Sequence, residues 1–432
     1  MNEENKLLAF IRNATSPYHV VQESEALLKE AGFTSLVLED DWNLEQGTSN
    51  YTKVYGTTLF AFSIGTKLET PYFRIASAHT DHPCLHIKPI AEYPQHNYLR
   101  VNVEVYGGPI KNTWLDRPLS IAGKVVLKSD EVFHPRTVLI DCKRPLLTIP
   151  NIAIHMNPEL NKGVELNNQS DMIPLLGMLT EEFNKEQYFF DFLEKELEKI
   201  DNKITKEDIL DFDLYVYNTE EGCLLGLKNE FISCPRLDNL TSVYALTTGL
   251  IHGRKENSIS MIALFDNEEI GSQTKQGADS MISQLILEKI YESLFGSLHG
   301  LTNAILKSHM ISVDVAHGLH PNHVEKSDPT NVTQLNQGIC LKMNSNQRYA
   351  TDSEAIGAIE QLCKKHEISY QKYVNRSNIA GGHTLGSLSS SWLPMKTVDL
   401  GVPLLAMHSA RELMGVNDQT ALNQLLVAFF TE

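Results

Sequence analysis

The chain has 432 residues, too many for one ordinary domain, so two or three are expected. Hydrophobic residues make up 42%, enough for packed cores, and the formal net charge of −17 argues against nucleic acid or an anionic membrane as partner, since both need a basic face. No apolar stretch approaches the length that spans a bilayer. The start, MNEENKLLAF, lacks the basic region and apolar core of a signal peptide, and the six scattered cysteines form no CxxC pair. A cytoplasmic chain with reduced thiols is expected.

In chain order, Asn5 to Ile11 repeats apolar residues at helical spacing. Ser16-Pro17 then offers a cap and a first-turn proline for a second helix through Leu28. Residues 51 to 64 read as a strand pair, and Tyr72 to Ala78 as a strand ending at His79. From about residue 90 to 230 the texture is β-rich, with strands at 99–106, 121–127, 136–141, 213–217 and 226–232. Pro150 to Met156 is a further apolar piece, and 175–210, rich in Glu and Lys, reads as a solvated surface helix. From Cys234 onward strand and helix alternate: helix 240–251, strand 261–265, helix 282–294, strand 311–315, helix 351–366, strands 370–374 and 402–407, and a helix beginning at 410–414. The expected fold class is therefore α/β, with residues 1–92 and 234–432 forming one domain around a mixed sheet flanked by helices, interrupted in sequence by a β-rich domain over 93–233.

Four predicted strands end in metal-type residues: His79, the pair Glu268-Glu269, Asp314 and His408. Open α/β sheets bind ligands beyond the carboxyl ends of their strands. Asp238, just before a predicted helix, is a fifth candidate. Each has a plainer reading; Asp238 could be a helix N-cap, His408 a core histidine and Asp314 an ordinary ion-pair partner. Together two imidazoles and three carboxylates make the mixed N/O set suited to zinc, manganese or cobalt. Two divalent ions sharing one carboxylate would use all five. Asp81 lies two residues past His79, on the same side of an extended segment, and is expected to orient that imidazole. Of the adjacent glutamates, one can ligate while the other serves as general base in metal-assisted hydrolysis.

These residues, in this order, resemble the M18 metallopeptidases, the aspartyl aminopeptidase family. The motifs are Ser77-Ala78-His79-Thr80-Asp81, Asn112 to Leu119, Ile149 to Met156, Arg236-Leu237-Asp238-Asn239-Leu240, Asp266 to Ser272, Ser312 to His317, Asn346 to Thr351 and Ala406 to Glu412. The resemblance implies one ion on His79, Asp238 and Asp314 and a second on Asp238, Glu269 and His408, with Glu268 as general base and Asp81 orienting His79. It implies that the β-rich insert is a dimerisation domain, and that the subunits build a dodecamer from dimers. It assigns substrate contacts to His155, reaching a neighbouring subunit, and to Lys342 and Tyr349. The implied substrates are peptides with N-terminal Asp or Glu. Gly381-Gly382-His383-Thr384 departs from the family pattern, with His383 in place of a small residue. Two other readings compete: a related hydrolase preferring neutral or N-acylated residues, and an inactive assembly protein. The second would be signalled by loss of Glu268 or a ligand, and none is lost.

Overall fold

A computed structural model describes residues 3–69, 71–180, 183, 186–253 and 255–432. The chain divides into two compact units. One comprises Met1–His82, Gly222–Met407 and Glu412–Glu432, the other Pro83–Glu221 and His408–Arg411.

The first unit holds a nine-stranded mixed sheet, in the order Thr34–Leu36, Ser49–Val54, Thr58–Ile64, Ile259–Phe265, Phe73–His79, His309–Val313, Lys396–Gly401, Ile339–Met343 and Tyr370–Val374. At its centre, Phe73–His79 runs parallel to both Ile259–Phe265 and His309–Val313, and His309–Val313 runs parallel to Lys396–Gly401. Phe265 lies opposite His79, so neighbouring strands finish level with one another. Every residue of Ile259–Phe265 is buried. Ile262 and Leu264 pack into one core with Val243 and Leu246 of the helix Leu237–His252, while Met261, Ala263 and Phe265 pack on the opposite face with Ile286 and Ile290 of the helix Ile282–Phe295. Burial on both faces explains the continuous apolar run. Each large side chain so buried contributes about 1.5–3 kcal/mol relative to exposure.

The second unit carries a six-stranded antiparallel sheet, in the order Arg136–Asp141, Leu119–Leu127, Ile209–Asn218, Cys84–Glu92, Tyr98–Tyr106 and Leu175–Met178. It begins at Pro83 and leaves at Glu221, inside the expected boundaries at the far end and ahead of them at the near end.

Several local expectations are corrected. The stretch 175–210 is not one helix: its helix is Tyr188–Glu198, flanked by the strands Leu175–Met178 and Ile209–Asn218, with residues 181, 182, 184 and 185 outside those described. Nor is that helix merely solvated, because Tyr188, Phe189, Phe192, Leu193 and Leu197 are buried. The expected strand 226–232 is a hairpin, Cys223–Leu225 with Phe231–Cys234, and belongs to the first unit. Ile152, Ile154 and Met156 are exposed, so the apolar piece 150–156 is not core. The helix expected from 410 is first a strand, Glu412–Gly415, and only then the helix Val416–Thr431. Leu385–Trp392 and the strand Lys396–Gly401 were not anticipated.

The strand Lys396–Gly401 sets the position of Asp314. The Asp314 N–H donates to Leu400 O at 2.9 Å. A methyl group on Gly401 would stand 1.7 Å from Asp314 O. Gly401→Ala must therefore push the two strands apart, and overpacking of this kind costs about 1–3 kcal/mol. The expected result is a lower urea-unfolding midpoint than wild type. An unchanged midpoint would show that the strand ends tolerate wider spacing.

Candidate metal centre

Three adjacent parallel strands deliver the site. Phe73–His79 ends on His79 itself, His309–Val313 is followed at once by Asp314, and Ile259–Phe265 leads through Asp266 and Asn267 to Glu268 and Glu269. Asn267 adopts a left-handed conformation, φ 65°, which asparagine tolerates better than most residues. That turn swings the chain into a short 3-10 segment, Glu268–Ile270, and aims the two glutamates differently. Asp238 stands near the start of Leu237–His252 but has non-helical dihedrals, and its N–H donates to Glu412 Oε2 at 3.0 Å.

The side chains converge. His79 Nε2 is 3.3 Å from Asp238 Oδ1 and 3.5 Å from Asp314 Oδ1. Ligand atoms of His79, Asp238 and Asp314 all lie within 4.8 Å of one another, as do those of His79, Glu268 and Glu269. His79 Nδ1 sits 3.0 Å from the Asp81 carbonyl oxygen and 3.5 Å from its Oδ1. The Asp81 carboxylate also accepts from the backbone N–H groups of Glu268 and Glu269, each at 3.1 Å. The expected pairing of the Asp81 side chain with His79 is thus the longer of its contacts, and the residue also anchors the glutamate turn.

So much buried carboxylate is unfavourable unless countered. Among the described residues, protons and the ammonium of Lys342 provide counter-charge. Burial opposes a charge on His79, but its contacts with Asp238, Asp314 and Asp81 outweigh this and hold its pKa well above the ordinary value. Burial pushes Glu268 up to about 8, with Asp314, Asp81 and Asp238 adding to the effect against the pull of His79. Burial also raises Asp314, yet Lys342 and His79 prevail and keep it below the usual carboxylate range. Lys342 is 2% exposed, with its ammonium 3.5 Å from Asp314 Oδ2 and 5.2 Å from the centre of the Tyr349 ring. A divalent cation would replace these protons as counter-charge, and one imidazole with several carboxylates is a donor set that zinc and its neighbours accept.

The other expected residues come from elements outside the three central strands. His408 follows Pro403–Leu405, a strand of a separate five-stranded sheet, and groups with the second unit, where its Nδ1 lies 3.1 Å from Gly108 O. Sequence reasoning had put all four strand ends on one sheet. His155 is an exposed loop residue of the second unit, and His383 is exposed in the first. Tyr349 is buried beside Lys342. Glu412 and Asp399 were missed. Asp399 is fully buried and accepts from Thr384 Oγ1 and Ala350 N, both at 2.6 Å, tying down the segment after Tyr349. A carboxylate flanked by apolar residues, Val398-Asp399-Leu400, was the signal available.

A profile of the family described as Aminopeptidase I zinc metalloprotease (M18) matches residues 10–430. This chain belongs to the M18 peptidase family. It is a metallo-aminopeptidase, as its M18 relatives are named. A probable M18 family aminopeptidase 2 of Clostridium novyi (strain NT) is 43% identical over 416 residues, covering 96% of this chain and 95% of the relative. Its counterpart in Clostridium acetobutylicum is 41% identical over 428 residues, covering 98% of each. Among solved structures, a chain in the cryo-EM structure of the Ape4 and Nbr1 complex superposes with a TM-score of 0.94 at 33% identity, covering 99% of this M18 chain and 85% of that one.

The charge balance predicts a pH dependence for the metal-stripped protein. His79 and Glu268 both bind protons more tightly folded than unfolded. Their contribution is complete below the unfolded values and fades as pH rises through the folded ones. The chelated protein should therefore lose stability through Glu268 from about pH 4.3 upward, the unfolded glutamate value, and more steeply above about pH 6.5, the unfolded histidine value, and His79→Gln should flatten the upper part of the trend. Thermal unfolding of both proteins between pH 6 and 9, in a chelator, checks this; parallel curves would show that the cluster does not carry the linkage.

Proposed function

We propose that the chain is a dinuclear aminopeptidase that releases N-terminal Asp or Glu from peptides. The observation that supports this most is the convergence of His79, Asp314, Glu268 and Glu269, from the carboxyl ends of adjacent parallel strands, with Asp238 from the start of a helix. In this reading His79, Asp238 and Asp314 hold one ion, and Asp238, Glu269 and His408 a second, with Asp238 shared. Gly108 O on Nδ1 of His408 leaves Nε2 as the ligating atom. The family's description names zinc, and manganese or cobalt suits the same donors. Bound ions supply Lewis acidity to the scissile carbonyl and the attacking water.

The chain's own residues do the rest. A Glu268 carboxylate oxygen takes the proton from the water and returns it to the leaving amine. Asp81 keeps Glu268 in place through its backbone N–H. Lys342 has three donors, of which Asp314 engages one, and its burial makes it a strong partner for an acidic substrate side chain. Tyr349, under the ammonium, forms part of the same wall. We further propose that the second unit is the dimerisation domain, that His155 completes the site of a neighbouring subunit, that dimers assemble into a dodecamer, and that the enzyme works in the cytoplasm. None of the described helices is long and apolar enough to cross a membrane.

Glu268→Gln keeps shape but not basicity. It should retain bound metal and lose about 10²–10⁴-fold in kcat. Metal content and kcat are measured on the same preparation; a variant with full metal and more than about a tenth of the activity, far above that range, removes Glu268 from the role of base.

Lys342→Ala tests the specificity. Truncating one partner of a buried charge pair costs about 2–5 kcal/mol, so kcat/KM should fall far more for Asp and Glu substrates than for Leu or Ala substrates. Equal losses would show that Lys342 does not read the side chain. Should the wild type prefer Leu or an N-acetylated residue over Asp, the related hydrolase reading replaces this one.

A further inference from the structure

Beyond the metal centre, the first unit contains a cavity of about 390 Å³ whose charge runs against that of the protein. The formal net charge of the chain is −17, yet this cavity is lined by Lys326, Arg376 and three histidines, His317, His320 and His323, against one carboxylate, Asp328. The histidines recur every third residue and face one space; the rings of His320 and His323 are 4.9 Å apart. Neither Lys326 nor Arg376 pairs with a carboxylate among the described residues; Arg376 Nη1 donates to the neutral Asn378 at 2.9 Å. Asp328 is already occupied, its Oδ1 accepting from Thr330 N at 3.1 Å and from Asn331 N at 2.8 Å and Nδ2 at 2.9 Å. These bonds hold it down at a pKa of about 2. Glu325 Oε1 lies 3.5 Å from His323 Nδ1, and the cavity presents Lys326, Arg376 and imidazole donors to its interior. Its floor is apolar, formed by Leu404, Leu405 and Met407.

The cavity is linked to the proposed active site through packed side chains. His317 follows Asp314 by three residues. A line of side-chain contacts runs from Asp314 to Lys342 at 3.5 Å, on to the Tyr349 ring at 5.2 Å, then to Tyr373 at 6.4 Å and to His317 at 6.4 Å. An extended peptide covers such a span in a handful of residues, at roughly 3.3–3.6 Å each.

We infer that this cavity binds the free C-terminal carboxylate of a short peptide, of roughly three to six residues, whose N-terminus lies at the metal centre. Arg376 offers a planar fork matched to a carboxylate, Lys326 a point charge, and the imidazoles further donors. The apolar floor suits the last side chain. The contact is remote from the scissile bond and is made equally in ground and transition states. It therefore lowers KM and leaves kcat alone. It makes the enzyme one for peptide fragments rather than for the N-termini of intact proteins. The inference rests on the aminopeptidase reading, so its test separates the two.

The test is equilibrium binding, by calorimetry, of a tetrapeptide beginning with Asp, as free acid and as C-terminal amide, to the metal-loaded Glu268→Gln protein, which holds its ligand without turnover. The free acid should bind about tenfold more tightly, the worth of a charge-assisted contact at a partly solvated site. Arg376→Ala with Lys326→Ala should weaken the free acid to the level of the amide and leave the amide unchanged. Both side chains line an open cavity and carry no core packing, and unchanged binding of the amide reports intact folding. Equal binding of acid and amide overturns the proposal, as does a difference that survives the double substitution. If replacing the first Asp by Ala, rather than amidation, abolishes the dependence on Arg376, the cavity reads the N-terminal side chain and the proposal is again overturned. Wild-type kinetics on the same pair decide the other question: the expected binding pattern without any turnover would sink the aminopeptidase reading and leave the carboxylate site standing.

Discussion

The unfavourable burial of several carboxylates around one imidazole is the constraint on which the rest of the site depends. Asp238, Asp314 and the glutamate pair crowd His79, and no single neighbour could balance them. The fold answers with fixed partners on every side. Lys342 is placed behind Asp314, the backbone of the glutamate turn points its N–H groups at Asp81, and Asp238 is held from behind through its own N–H by Glu412. Parallel strands with level ends make this feasible. Three chain segments far apart in sequence stop at one edge, and the backbone there is held by the strand next door, as Asp314 is by Leu400.

Much of this was legible in the sequence. Strands buried on both faces appear as unbroken apolar runs, so their ends are easy to see, and the residues beyond those ends were read as candidate ligands. The nine-stranded sheet and its flanking helices follow from the same alternation. Where the sequence misled, a second signal competed with the first. The Glu and Lys of 175–210 suggested a solvated helix because the charges outnumber the aromatic stripe Tyr188, Phe189 and Phe192, which is what the helix buries. His408 looked like a fourth strand end of one sheet. The run before it, 402–407, holds the short strand Pro403–Leu405 of another sheet, and the strand of the nine-stranded sheet, Lys396–Gly401, ends just ahead of it. Asp399 and Glu412 stayed hidden because their roles depend on pairing across the fold, which no local spacing encodes.

The acidic character of the chain and the cationic cavity are two scales of one design. Overall negative charge keeps the protein soluble but repels acidic peptides at long range. For the acidic substrates proposed above, attraction has to be short-ranged and held on a few side chains. Lys342 is rigid in the interior, while Lys326 and Arg376 stand at an open rim, so the former suits discrimination and the latter capture.

The path of the chain has an evolutionary consequence. It passes between the two units four times, after His82, Glu221, Met407 and Arg411. The last visit is only four residues long, yet it is stitched firmly into the second unit: Ile110 N–H donates to His408 O, Ala410 N–H to Thr113 Oγ1, Asn218 to Ala410 O, and Arg411 to Glu221 O. The inserted unit is consequently not a removable cassette. Excising 83–221 would strip the backbone that shapes His408, and with it a residue assigned to the metal centre. A recombination event that replaced 83–221 alone would have to supply new partners for 408–411.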